Sequence, residues 1–111
     1  MNALEMCKAI AELEGVGLFG SSLTIRGTFS YCHNDNEEGY NKQYNPITDL
    51  ALNCMLRDKY EVAIDYNNYD VVIFDANAGE FDSGYIAASS FKEGDIPRAV
   101  CLCILKSKGV I

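Results

Sequence analysis

Residues 60–76, YEVAIDYNNYDVVIFDA, decide the fold because they predict a tight β-hairpin. Asn67 and Asn68 separate two apolar runs, and asparagine tolerates the positive φ that a two-residue type I′ turn requires. Such a turn pairs Tyr66 with Tyr69, and alternate side chains along each strand then share one face. The hairpin therefore predicts an antiparallel sheet whose core face carries Val62, Ile64, Tyr66, Tyr69, Val71 and Ile73.

The opposite face of this hairpin is half apolar, so we expect something to cover it in part. It carries Ala63, Val72 and Phe74 together with Glu61, Asp65 and Asp70. Asp65 and Asp70 oppose each other across the strands, where like charges destabilise unless a cation or water separates them. They are either a metal site or acidic patch, or two carboxylates at a solvated hairpin end. The segment DYNNYD lacks the glycine and the distal glutamate of a calcium loop.

The segments around the hairpin predict the rest of one α+β domain that spans all 111 residues. Helical spacing of apolar residues predicts helices over 2–14 and 46–58, and alternation predicts a strand over 22–32. Residues 84–89 predict a third hairpin-connected strand. Asp95 begins a last helix that is apolar on every side, which is typical of a buried helix. The predicted order is α-β-α-β-β-β-α, with about four mainly antiparallel strands packed with helices.

The second helix and the segment 33–44 allow more detailed predictions. The second helix is predicted to begin at Pro46, since proline costs nothing at the first helical position. The apolar stripe of this helix is predicted to consist of Ile47, Leu50, Ala51, Cys54 and Met55. The polar segment 33–44 is predicted to be the longest loop, and long loops in compact domains are commonly functional or mobile.

The charge of the chain limits the classes of partner. Sixteen acidic residues against nine basic ones give a formal net charge of -7, a field that repels nucleic acid and anionic lipid. A basic protein surface is the natural charged partner, and the alternative is that the charge only maintains solubility. No stretch approaches the roughly 20 apolar residues of a membrane span, and no secretion signal is visible. Five irregularly spaced cysteines predict reduced thiols in the cytoplasm.

The chemistry-bearing residues do not form a complete catalytic or metal pattern. Cys32 and His33 supply two zinc ligands where a structural site needs four, and Cys101 and Cys103 lie on opposite sides of a helix. A pairing of His33 with a cysteine lacks an orienting third residue and an oxyanion hole. We therefore predict no catalytic residue, no metal and no cofactor.

Two acidic segments next to aromatic residues are the predicted binding surface. This mixture of charge and aromatic area suits a basic protein surface, and the alternative is that both segments are solvated loops. The predicted partner-binding residues are Asp35, Glu37, Glu38, Tyr40, Glu80, Phe81 and Asp82.

From Tyr44 onward the chain resembles a known family. The segments YNPITDLAL (44–52), KYEVAIDY (59–66), DVVIFDA (70–76) and DIPRAVCLCILKSKG (95–109) resemble the phage ABA-sandwich domain, a family of small phage proteins of unassigned function. Two motifs carry the likeness: Tyr44, Pro46, Thr48 and Asp49 at one helix start, and Pro97, Arg98, Ala99, Val100 and Cys101 at another. The resemblance covers about residues 40–109 and implies an α/β/α sandwich and a phage origin. Many members have a tryptophan where this chain has Leu50.

Together these features lead to a functional hypothesis. The protein is predicted to be a phage-encoded inhibitor of a bacterial defence system, in particular an anti-CRISPR protein, and not an enzyme. It would bind stoichiometrically to a basic nucleic-acid-binding surface of a CRISPR effector subunit in the host cytoplasm. The alternatives are a protein that sequesters a small molecule or nucleotide, and a self-associating accessory phage protein. The sequence leaves the target, the stoichiometry and the oligomeric state open.

Overall fold

The chain alternates helices with two groups of strands. The computed structural model describes residues 2–16, 18–23, 29–35, 40–74, 85–91 and 94–111. The elements within these ranges are α1 (Ala3–Leu13), β1 (Leu18–Leu23), β2 (Phe29–Asp35), β3 (Tyr40–Tyr44), α2 (Leu50–Lys59), β4 (Val62–Asp65), β5 (Asp70–Phe74), β6 (Tyr85–Ser90) and α3 (Ile96–Ser107). The predicted α+β class is confirmed, and so is the order of the elements from α2 to α3.

The strands form two three-stranded antiparallel sheets, β1-β2-β3 and β4-β5-β6, instead of one sheet of about four strands. The single strand predicted over 22–32 is wrong, because this segment contains the end of β1 and most of β2, which pair antiparallel. The loop predicted over 33–44 is also wrong, since β2 pairs with β3 and Asp35 lies opposite Tyr40. An alternating pattern that continues through two adjacent strands does not show where one strand ends.

The register of the second hairpin is confirmed, but its turn is wider than predicted. Val62 lies opposite Ile73, and Asp65 opposite Asp70, so the turn contains four residues, 66–69. The carboxylate of Asp65 holds this turn, since it accepts the backbone N–H groups of Asn67 at 3.0 Å and Asn68 at 3.2 Å. It also accepts the Asn68 side-chain amide at 2.7 Å. These bonds favour the wider turn over a two-residue one.

The wider turn changes the position of the two tyrosines at its ends. Tyr66 and Tyr69 are 67% and 57% exposed, so their predicted place in the core is wrong. Tyr69 has φ +55°, the left-handed conformation that was predicted for the asparagines. A non-glycine residue in this conformation costs roughly 1 kcal/mol. Of the six predicted core positions, Val62, Val71 and Ile73 are buried and Ile64 is partly buried against the core.

Helix α3 lies at the centre of the core. It packs on one face of the second sheet, while α1 and α2 pack against α3, and α1 also contacts β2. Its fully or almost fully buried residues are Ala99, Val100, Cys101, Cys103, Ile104 and Leu105. Within the described residues the helices therefore lie on one side of the second sheet, whereas the resemblance implied helices on both faces.

The second helix begins later than predicted and presents a different face. Asp49 is the N-cap, and its side chain accepts the N–H of Leu52 at 3.2 Å. Pro46 lies in a preceding turn that is held by the side-chain oxygen of Asn45. Most of the predicted apolar stripe is exposed, namely Leu50, Ala51, Cys54 and Met55, and only Ile47 is partly buried. The buried residues of α2 are Asn53 and Leu56.

The reason for this orientation is a buried amide. The Asn53 side-chain nitrogen donates to the carbonyl oxygens of Pro46 at 2.8 Å and Pro97 at 3.1 Å. It also lies 3.8 Å from the sulfur of Cys101. A buried polar group is retained where its hydrogen bonds are satisfied, so Asn53 connects α2 to the first turn of α3.

The end of α2 yields a stability prediction. Glu61 follows the C-cap residue Tyr60 with φ +55°, at a position where helices usually have glycine. We expect Glu61→Gly to raise the free energy of unfolding by about 0.5–1 kcal/mol in chemical denaturation, because glycine adopts this conformation without steric strain. Glu61→Ala is the matched control: it removes the same charge and keeps the strain. Equal stabilities of the two variants would contradict the prediction.

Candidate functional site

The described residues include two of the seven predicted partner-binding positions. Asp35 and Tyr40 are cross-strand neighbours at one end of the β2–β3 pair. The other five, Glu37, Glu38, Glu80, Phe81 and Asp82, lie outside the described residues. The predicted surface therefore stays a prediction.

The negative charge of the protein is concentrated in the segment that carries the second sheet. Residues 61–91 contain six carboxylates and no lysine, arginine or histidine, so they account for six of the seven net negative charges. The carboxylates are those of Glu61, Asp65, Asp70, Asp75, Glu80 and Asp82. A local field of one sign attracts an oppositely charged surface more strongly than the same charge spread over the whole molecule.

The face of the second sheet that points away from α3 is apolar and carries an open depression. Three side chains without long extensions lie side by side across the middle of this face: Ala63 lies opposite Val72, and Val72 lies opposite Ala88. Two residues further along their strands, Phe74 on β5 and Ile86 on β6 are 55% and 53% exposed. An open depression of about 440 Å³ follows the same face, lined by Ala63, Ile64, Asp65, Tyr66, Asn67, Val72 and Phe74. We call this surface the outer sheet face.

The hairpin tip, residues 65–70, closes one end of the outer sheet face. The rings of Tyr66 and Tyr69 both meet the ring of Phe91 edge-on, at centroid distances of 6.2 and 6.0 Å. Phe91 is only 5% exposed, and its backbone N–H donates to the carbonyl oxygen of Tyr69 at 2.7 Å. The two tyrosines are thus exposed to solvent and supported from below by a buried ring.

The carboxylate of Asp65 serves the turn. Its pKa is lowered, first by the hydrogen bond from the Asn68 side chain and then by the backbone N–H groups of the turn, so it remains ionised over a wide pH range. Within the part of the chain that the structure describes, no group of three or more histidine, cysteine, aspartate or glutamate residues is arranged to hold a metal ion. Asp65 and Asp70 do lie opposite each other, as predicted.

The buried cysteines are poor nucleophiles. Burial raises the pKa of the Cys7 and Cys103 thiols to about 11 and that of Cys101 to about 12. A thiol reacts as the thiolate, so these three remain in the unreactive form near neutral pH. Cys103 lies 3.7 Å from the Val71 carbonyl oxygen on the side of the sheet, whereas Cys101 faces Asn53, so the predicted opposite orientation is confirmed. Cys54 is exposed.

A second polar cluster joins the ends of the three helices. The side chain of Glu14 is 8% exposed and accepts hydrogen bonds from the Lys59 ammonium and from the Tyr60 hydroxyl, the latter at 2.9 Å. The ammonium groups of Lys59 and Lys108 lie 5.7 and 5.5 Å from the centroid of the Tyr60 ring. Sequence reasoning missed this cluster because Glu14 and Tyr60 are 46 residues apart. Its contacts connect α1, α2 and the end of α3, which indicates a structural role.

No family model, curated protein or solved structure matches this chain. The resemblance to the phage ABA-sandwich domain therefore stays a prediction. In the described part of the chain, none of the helices has the length and apolar character needed to cross a membrane.

Proposed function

We propose that this protein is a stoichiometric binder of a basic protein surface. In its specific form the proposal is a phage-encoded inhibitor of a bacterial defence system, in particular an anti-CRISPR protein that acts in the host cytoplasm. The observation that carries the proposal is the outer sheet face, where exposed Phe74 and Ile86 lie in a segment with six carboxylates and no basic residue.

This combination has the properties that protein interfaces require. Aromatic and large apolar side chains supply most of the binding energy at the centre of an interface. Carboxylates in the same segment of the chain accelerate association with a basic partner and disfavour acidic ones. An effector surface that normally binds nucleic acid is rich in lysine and arginine, so occupation by this protein would block that function.

Two alternative functions have different structural support. Among the described residues, the depression on the outer sheet face is lined by one carboxylate, Asp65, and by no basic residue, which disfavours a nucleotide as its ligand. Self-association is the second candidate, since Leu50 and Met55 on α2 are 64% and 56% exposed. A solution measurement of mass over a range of protein concentrations separates this candidate from binding to another protein.

The test is a titration of purified CRISPR effector complexes, with DNA binding and cleavage as the readouts. We expect inhibition to saturate at a fixed molar ratio and to weaken as the salt concentration rises, because salt screens exposed charges. Glu61→Gln combined with Asp70→Asn is expected to weaken binding about three- to tenfold at low salt, since exposed charge pairs contribute about 0.2–1 kcal/mol each.

The matched control removes the same charge from a different surface. Glu5→Gln combined with Glu12→Gln changes two exposed carboxylates on α1 and is expected to weaken binding much less. If the wild-type protein binds none of the effectors, the proposed partner class is wrong. If the double variant on α1 weakens binding as much as the double variant of Glu61 and Asp70, the total charge and not the outer sheet face governs the interaction.

A further inference from the structure

The hairpin tip is the most exposed aromatic feature among the described residues. Tyr66 and Tyr69 are 67% and 57% exposed, yet both rings rest on buried Phe91. The three hydrogen bonds accepted by the Asp65 carboxylate fix the turn between them. Tyrosine side chains that are held in place before binding provide contact area at a low cost in conformational entropy.

The position of Tyr69 shows that the turn itself does not require a tyrosine. Among the described residues, only Glu61 and Tyr69 combine a positive φ with a residue other than glycine. Glycine or asparagine would adopt this conformation more easily, and the turn contains two asparagines at other positions. The backbone conformation of the turn therefore does not explain why residue 69 is a tyrosine.

The charge around the two rings defines the complementary group. Asp65 and Asp70 lie opposite each other at the base of the tip, so the two tyrosines lie close to two carboxylates in the chain and in the strand pairing. A cation from a partner is attracted by this negative charge and interacts favourably with the faces of tyrosine rings. No basic residue occurs between residues 61 and 91 to fill this role from within the segment.

We propose that the hairpin tip is the anchor of the protein's interface and that it recognises an arginine side chain on a basic partner. Arginine fits better than lysine because its planar guanidinium stacks on aromatic rings and pairs with carboxylates at the same time. The adjoining depression, which Tyr66 and Asn67 also line, accepts the neighbouring apolar side chains of the partner. This inference rests on the proposed function and names the chemistry of the partner.

The first experiment uses three synthetic peptides of one length and spacing that carry arginine, lysine or citrulline. Binding is followed through the NMR signals of the Tyr66 and Tyr69 rings. We expect the arginine peptide to shift both ring signals and to bind about tenfold more tightly than the lysine peptide, and the neutral citrulline peptide to bind least. Equal affinity for arginine and lysine, or ring signals that do not move, would overturn the proposal.

The second experiment replaces the tip residues without disturbing the turn. Asparagine tolerates the conformation of Tyr69, so we expect Tyr69→Asn to fold normally and, combined with Tyr66→Asn, to weaken arginine-peptide binding at least tenfold. Met55→Gln, which changes another exposed apolar side chain, is the control and is expected to bind as the wild type does. Thermal unfolding of each variant checks that lost binding does not reflect lost structure.

The same variants separate this inference from the proposed function. If an effector complex binds the tip variants as tightly as the wild type, the anchor is elsewhere and the proposed function stands. If the wild type selects the arginine peptide but binds no effector, the recognition by the tip stands and the proposed partner class is wrong.

Discussion

Replacement of Asn53 by aspartate is expected to lower the free energy of unfolding by about 3–5 kcal/mol at neutral pH, the cost of an uncompensated buried charge. The Asn53 side chain is 5% exposed and donates to the carbonyl oxygens of Pro46 and Pro97. An ionised aspartate of the same shape has no donor and places its negative charge against both carbonyl oxygens. Chemical denaturation of the two proteins measures the difference.

The pH dependence of this variant gives a second readout. Burial next to two carbonyl oxygens raises the pKa of the introduced carboxyl group in the folded state above its unfolded value of about 3.9. The variant is therefore destabilised by the full amount above the pKa that the group has in the folded protein. The destabilisation decreases as the pH falls toward the pKa of the unfolded chain, since the protonated group donates one hydrogen bond. Cys54→Asp is the matched control, because it adds the same charge at the adjacent exposed position. Equal losses in the two variants would contradict a role for the buried amide.

Asn53 also shows where reasoning from the sequence fails. The apolar residues of α2 were assigned to the core because their spacing is helical, and yet Leu50 and Met55 are exposed. The partners that turn the helix, the carbonyl oxygens of Pro46 and Pro97, lie 7 and 44 residues away from Asn53. Hydrophobic periodicity contains no information about such a bond, so the face of a short helix can be assigned wrongly.

Elements with strong local patterns were predicted well. The opposed β-branched residues of β4 and β5 specified their register, because a shift by one residue would expose Val71 and Ile73. The last helix is apolar on every side, and six of its residues are buried. The first sheet was predicted poorly, since its sequence is polar in many positions and gave no clear boundary between β1 and β2.

The candidate site was accessible to sequence reasoning only in part. The absence of basic residues between 61 and 91 is visible in the sequence, but the predicted binding surface used the acidic segments around Asp35 and Glu80 and not the carboxylates of the hairpin. The exposure of Tyr66 and Tyr69 depends on a four-residue turn, and the pattern of asparagines predicted a two-residue turn that would have buried both rings. The difference between a predicted two-residue turn and an observed four-residue turn therefore explains why the two rings are exposed and not buried.

The protein is expected to lose stability between about pH 10 and pH 12 because folding raises the pKa of partly buried Tyr60 and buried Tyr44. Desolvation, the hydrogen bond to Glu14 and the charge of Glu14, in that order, raise the pKa of Tyr60 from 10.0 to about 12. Burial also raises the pKa of Tyr44, again before the charge of Glu14. A group whose pKa is raised by folding stabilises the protein fully below its unfolded pKa, and this contribution disappears as the pH rises through the folded pKa.

The size of the Tyr60 contribution follows from its shift. Two pKa units correspond to roughly 2.7 kcal/mol. Partial exposure of the ring reduces this contribution to about 1–2 kcal/mol, because solvent screens the interaction. Absorbance of the tyrosinate form and denaturant unfolding, both followed from neutral to alkaline pH, test whether ionisation and loss of stability coincide.

Glu14→Gln tests whether Glu14 contributes to the loss of folding stability at alkaline pH. The variant removes the charge next to the Tyr60 hydroxyl, so the pKa of Tyr60 should fall and its ionisation should begin at lower pH. Loss of the charged hydrogen bonds to Lys59 and Tyr60 should also cost about 1.5–3 kcal/mol at neutral pH. Glu12→Gln, an exposed neighbour on α1, should leave both properties unchanged. Because Glu14 lies at the end of α1 and its side chain bonds to the end of α2, Glu14→Gln should still bind a basic partner wherever it remains folded. A binding loss larger than its loss of folded protein would place Glu14 in the interface and contradict the structural role assigned to it.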